Sequence, residues 1–287
     1  MSDITIKDAL NLYDQGVKAG IITRHKKTDG PCLQGLLCQR YTDDFGNEII
    51  KPIKSNTVVL GGAIAAIEHL TGVEATWSPA TLNQVMQINP DVVVNPLETT
   101  IALFGIGTGG SGLDFGSEIA PDIKMRGLRN MIPLRTTEEI TDVDAPKYFF
   151  KQPNADGVTY NWYLKEFDSQ PIIKSVWKDA IDDTSQGTEI TEEVYNSARE
   201  EGIQTFAQFS ITLNTKDGRE YFEAAGELDM ARYNELGLFL GKKVEDPANP
   251  GSYIYGGVKL FSAVSLDNRS LKIESEATFS YLVFSLV

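Results

Sequence analysis

The sequence predicts a mainly β chain with flanking helices, an α+β fold with an antiparallel β-sandwich core. Three observations point there. From VVVNPLETTIALFGIGTGG onward, short β-branched, aromatic and apolar runs are separated by Asp, Pro, Asn and Gly at intervals typical of an antiparallel domain. Two runs alternate along their length, as half-buried strands do. Two other segments carry apolar residues at helical spacing.

Thr5 is placed to cap a first helix, with Ile6, Leu10, Tyr13 and Val17 at helical spacing and Gly20 ending it. Next, LLCQRY and NEIIKPI flank TDDFG, an Asp/Gly turn that closes a hairpin. Its acidic residues Asp43, Asp44, Asn47 and Glu48 lack the alternating ligand spacing of a calcium loop and read as a solvated tip. Residues 1–55 thus form an arm of helix and hairpin. Residues 56–287 are expected to form the β-sandwich domain.

That domain opens with NTVVLGGAIAAIEHLTG, where Ala63, Ile64, Ile67 and Leu70 make an apolar stripe expected to be buried, and Gly72 stops the helix. Strands are expected in MIPLR, KYFFKQ, VTYNWYLKEF and PIIKSVW. In the third of these, Tyr160, Trp162 and Leu164 share one face and Asn161, Tyr163 and Lys165 the other. The acidic stretch near 179–202 reads as a solvated insertion with a short helix starting near Thr191. After it come FAQFSITLN, a turn at Lys216-Asp217-Gly218, then YNELGLFLG, YGGVKLFSAVSL and LKIESEATFSYLVFSLV. In the last, Leu271, Ile273, Ala277, Phe279 and Tyr281 share a face, and beyond Tyr281 both faces are apolar.

Composition removes several function classes. Of 287 residues, 40 are acidic and 26 basic, a net charge of −14 that repels phosphate backbones, and the basic patches are as short as Arg24-His25-Lys26-Lys27. No apolar run approaches the roughly 20 residues that span a bilayer, and MSDITIKDAL has no signal-peptide pattern, so the chain is read as made in the cytoplasm. Cys32 and Cys38 lie too far apart for a C-x-x-C motif and read as free thiols. With only His25 and His69, a histidine metal cluster within one chain is excluded by count.

The run TTIALFGIGTGGSG raises the question of a dinucleotide, because Gly105, Gly107 and Gly110 satisfy G-x-G-x-x-G after a strand. A dinucleotide site needs the third glycine to open a helix whose N-terminus faces the pyrophosphate. Here Ser111-Gly112-Leu113-Asp114-Phe115-Gly116 follows, with no helical stripe, and Pro121 interrupts what comes next. The glycines are therefore read as a loop, or as positions where another backbone comes close. There is no Walker pattern, no G-x-S-x-G and no Ser-His-Asp candidate from order alone, so no catalytic residue, cofactor or metal is assigned.

Two blocks of the chain carry a resemblance. The order NTVVLGGAIAAIEHLTG, TTIALFGIGTGGSG, IKMRGLRNMIPLR, and later YNELGLFLG, KLFSAVSL, LKIESEATFSYLVFSLV, resembles neck and appendage proteins of tailed bacteriophages over roughly Asn56 to Val287. The resemblance implies a β-sandwich with flanking helices. It also implies a non-enzymatic virion protein at the head-to-tail neck or collar, assembled as a ring or cluster of identical subunits beside other virion proteins. Fibre attachment, capsid decoration and carbohydrate binding through Tyr160, Trp162 or Tyr163 are the alternatives. Ile6, Leu10, Tyr13, Gly107, Gly109 and Gly110 are the residues expected to reach neighbouring subunits.

Overall fold

The computed structural model describes residues 12, 15, 18–19, 32–42, 48–111, 118–141, 145–177, 188–190, 203–266, 271–272 and 277–286. The chain divides into two compact units. The first takes Met1–Asn56, Asp168–Thr212 and Ala277–Val287; the second takes Thr57–Phe167 and Leu213–Glu276. The first crossing, at Asn56/Thr57, lies beside the division expected at 55/56, but the first unit also gathers two later segments. This is the β-rich α+β class that the sequence predicts, built from antiparallel sheets of the kind found in β-sandwiches.

In the first unit, β1 (Cys32–Thr42) and β2 (Glu48–Ser55) form the predicted hairpin. With β9 (Ile172–Trp177), β10 (Thr188–Glu189), β11 (Ile203–Leu213) and β16 (Ala277–Leu286) they make a six-stranded sheet ordered β10-β9-β11-β16-β1-β2. Leu36, Leu37, Phe206, Phe279 and Tyr281 are buried in it. Cys38 is a free, buried thiol whose pKa burial pushes far up, which makes it an inert apolar residue. Leu12, Gln15 and Lys18 are helical. Ile6, Leu10, Tyr13, the hairpin tip and most of the acidic insertion, including its expected helix, lie outside the described residues.

In the second unit, β3 (Thr57–Val58), β4 (Thr100–Gly107), β6 (Arg135–Thr137), β8 (Tyr160–Glu166), β13 (Glu235–Glu245) and β14 (Tyr253–Ser265) are ordered β3-β14-β13-β4-β8-β6. On this path β5 (Met131–Ile132) pairs with β4 and β7 (Tyr148–Pro153) with β8. A separate two-stranded sheet joins β12 (Arg232–Tyr233) to β15 (Leu271–Lys272). The closing segment is thus shared: β15 belongs to the second unit and β16 to the first. Three short helices, α1 (Leu60–Thr71), α2 (Leu82–Met86) and α3 (Arg219–Ala225), complete the second unit among the described residues.

The core of this unit joins Leu103, Leu164, Phe239, Val258 and Leu260 with Phe149 and Phe150. Tyr148, Phe149 and Phe150 are consecutive and all buried, as in a strand covered on both faces. Phe150 has a φ of 64°, a left-handed backbone that costs a bulky residue about 1–3 kcal/mol. The run Val92–Val94, expected as strand, is irregular; Asn95 caps a single 3-10 turn at Pro96–Glu98 and the strand starts only at Thr100.

Candidate functional site

Helix α1 stands the other way round from the sequence expectation. Its buried residues are Gly61, Gly62, Ala65 and Glu68, while Ile67 is 60% and Leu70 80% exposed, and Ala63 is exposed as well. Close approach decides the orientation. A Cβ on Gly62 would lie 2.2 Å from the Phe261 carbonyl oxygen, so only glycine lets the helix lie this near β14. The Val59 N–H, just before the helix, donates to that same carbonyl at 3.0 Å. Glu68, 3% exposed, accepts the Ala75 N–H through Oε1 at 3.0 Å and ties the following loop to the helix. The ring nitrogens of His69 each lie 2.7 Å from a carbonyl oxygen, of Ala65 and Thr99.

The result is an outward face of Ala63, Ile67, Leu70 and Val73 with no exposed carboxylate, ammonium or guanidinium between Ala63 and Val73. Ile123, also exposed, adjoins the start of the helix through its carbonyl, which accepts the Leu60 N–H at 2.8 Å. Apolar residues presented together in this way mark interaction surfaces, whereas single exposed ones are ordinary.

The glycine loop is the second place where sequence motifs meet. Gly107 ends β4 opposite Glu235 of β13. Gly110 then passes so close to Asn234 that a Cβ on it would lie 2.0 Å from the Asn234 carbonyl oxygen. The Gly110 N–H donates to Asn234 Oδ1 at 2.8 Å, and Asn234 N–H to the Gly107 carbonyl at 2.9 Å. Glu235, 0% exposed, accepts the Arg129 N–H at 2.7 Å and pairs with the Arg129 guanidinium at 3.4 Å. The G-T-G-G, L-R-N and N-E blocks therefore lock one another, and no helix begins at residues 108–111. Gly107 and Gly110 are buried by their own chain and Gly109 is half-buried; a Cβ on Gly109 would meet that of Arg129 at 2.4 Å.

Burial holds the Glu235 carboxyl above its usual range, with the Arg129 N–H and guanidinium opposing the shift. A carboxyl raised in the folded state favours folding below its unfolded pKa, and that contribution is lost as pH rises through the folded value. Glu235→Gln should therefore flatten the fall in unfolding free energy from about pH 4.3 upward to neutrality. Denaturant titrations at pH 5 and pH 7 check this, and parallel pH profiles for the two proteins would contradict it.

A further buried network lies where α3 meets β6 and β8. Lys165 Nζ lies 3.1 Å from Asp217 Oδ2, the two side chains being 1% and 0% exposed. The Tyr148 hydroxyl donates to Asp217 Oδ1 at 2.6 Å, and Asn214 Nδ2 donates to that hydroxyl at 3.1 Å. Arg135 grips Glu220 with two bonds of 2.9 Å. Burial raises the pKa of both Asp217 and Tyr148, the former against the pull of Lys165. Sealed from solvent, the Lys165–Asp217 pair fixes the turn from Asn214 to Gly218 and is out of reach of any reactant. Sequence alternation assigned Lys165 to a face but gave no sign of this burial.

Of the expected interface residues, the structure brings the three glycines together, while Ile6, Leu10 and Tyr13 lie outside the described residues. The outward face of α1 is the feature that sequence reasoning missed. The doublet Gly61-Gly62 was its signal, because small residues that recur with Ala65 mark the face of close approach. Among the described residues no group of three His, Cys, Asp or Glu side chains is placed to hold a metal, and no helix is long and apolar enough to cross a membrane. Comparison with family models, with curated proteins and with solved structures found no match to this chain.

Proposed function

We propose that this chain is a non-enzymatic structural component of a tailed-phage virion, forming part of the head-to-tail neck or collar by assembly with copies of itself. The observation that carries the assembly reading is the outward apolar face of α1. In a chain of net charge −14, identical copies repel one another over most of their surface. The face from Ala63 to Val73, which presents no exposed carboxylate, ammonium or guanidinium, is where two copies meet with least repulsion and gain by burying Ile67 and Leu70.

A stable contact buries on the order of 1,200–2,000 Å² in total, more than one 12-residue helix supplies, so other segments share the interface. The N-terminal helix and the adjacent hairpin are segments we assign to further contacts with neighbouring subunits, separate from that of α1. The neck position rests on the resemblance of the glycine-loop, L-R-N and N-E-L-G-L-F blocks to phage neck and appendage proteins. Immunogold microscopy with an antibody to this chain, on phage particles from the source culture, should place gold at the head–tail junction. Gold on the capsid or tail tip, or particles without gold while antigen is abundant in the lysate, would contradict the neck reading.

A further inference from the structure

We propose that the second unit carries a binding site for an acidic saccharide, in a cleft of about 550 Å³ between strands β7 and β8 and the turn that joins β13 to β14. The proposal goes beyond the assembly reading and does not depend on it. The cleft has the size of a small-molecule site and lies wholly within one unit.

Its walls are built for a sugar ring. Trp162 and Tyr253 both line it, and Tyr253 is 57% exposed, so its ring is open to a ligand. Flat aromatic faces receive the C–H face of a sugar, an apolar surface edged by hydroxyls. The indole N–H of Trp162 is buried, so the ring meets the cleft with carbon and not with its donor. Across the cleft, the turn is made rigid by its own bonds. Asn249 Nδ2 donates to Asp246 Oδ2 at 2.8 Å, and Ser252 Oγ to the Asn249 carbonyl at 2.7 Å.

Two ammonium groups, Lys151 and Lys243, and one carboxylate, Asp246, line the cleft, and Asp246 is already held within its turn by the Ala248 N–H and the Asn249 amide. Lys243 is already paired, its Nζ lying 2.8 Å from Glu166 Oε1. Lys151 is different: its ammonium sits 3.7 Å from the Tyr160 ring centroid and 5.0 Å from that of Trp162, and among the described residues no carboxylate pairs with it. The pairing of Lys151 with Trp162 across β7 and β8 puts this ammonium beside the aromatic wall. Phe149 and Phe150 are buried, and the exposed Lys151 is next in the chain. One unpaired ammonium next to a stacking surface suits a single carboxylate on a pyranose ring. A polyphosphate requires several donors or a cradle of backbone N–H groups, which this wall does not offer.

The test is calorimetric titration of the full chain with a short oligogalacturonate and, separately, with the neutral galactose oligomer of equal length. We expect the acidic oligomer to bind and the neutral one to bind about tenfold more weakly or less, as for loss of one charge-assisted hydrogen bond. Lys151→Gln should bring the acidic oligomer down to the neutral level, while Lys151→Arg retains binding. Tyr253→Ala, on the exposed rim, should weaken both oligomers with the thermal midpoint unchanged, which keeps the test independent of any misfolding of a Trp162 variant. Equal affinity for the two oligomers, an unaffected Lys151→Gln protein, or no binding by the parent chain would each overturn the proposal.

Discussion

Replacing Ile67 and Leu70 together by Glu is expected to abolish self-association while leaving the fold intact. Both side chains point to solvent in the single chain, so the double variant removes no core contact. Glu is a good helix former, and the change should alter unfolding free energy by no more than about 1 kcal/mol. In the assembly the same residues lose their burial, worth about 1.5–3 kcal/mol each. They also bring like charges face to face in a chain already at −14. A loss of about 3 kcal/mol or more per contact weakens association by about a hundredfold or more. Sedimentation velocity, paired with a thermal melt, reads both quantities. A variant that associates like the parent would remove α1 from the interface.

The second large effect is expected at the glycine junction. Gly110→Ala puts a methyl group 2.0 Å from the Asn234 carbonyl oxygen, a backbone atom that already accepts the Leu266 N–H at 2.7 Å. The clash cannot be relieved by a side-chain rotation; Asn234, the Gly107 carbonyl and the start of β13 would all have to move. Overpacking of this kind costs about 3 kcal/mol or more where backbone must shift. The thermal midpoint of the second unit should then fall by about 6–12 °C. Gly157→Ala is the matched control: its φ of 69° strains an alanine, but nothing lies within 4 Å of the added Cβ. It should cost only the about 1–2 kcal/mol of a left-handed alanine. Equal losses in the two variants would show that close approach at Asn234 is not what Gly110 provides.

These two sites show what was legible in the sequence. The hairpin β1–β2 followed from TDDFG, β8 from alternation, and β13 and β14 from apolar runs set between turns, because those signals are local. The glycine loop was legible as a loop because no helical stripe follows Gly110, and close approach of another backbone was one of its two expected uses. The partner, Asn234, lies 124 residues away and carries no local mark.

Helix α1 was legible as a helix, but its face was not. Apolar periodicity names the side that wants to leave water and does not say whether this chain or another covers it. Gly61 and Gly62 chose the opposite side because they alone admit the backbone of β14. Helix α3 escaped notice because only seven residues separate the turn at Lys216-Asp217-Gly218 from Gly226, too few for an apolar stripe to stand out. The burial of Lys165 depends on Asp217, 52 residues on, and the cleft depends on the pairing of β7 with β8. Both are products of topology, which local patterning does not carry.

The most direct test of self-assembly through α1 is photo-cross-linking from position 70. With a benzophenone amino acid in place of Leu70, irradiation of the purified chain should give a covalent product of twice 31.6 kDa or a higher multiple, with the cross-linked peptide drawn from a second copy. A chain that stays at 31.6 kDa after irradiation at high concentration would contradict the account.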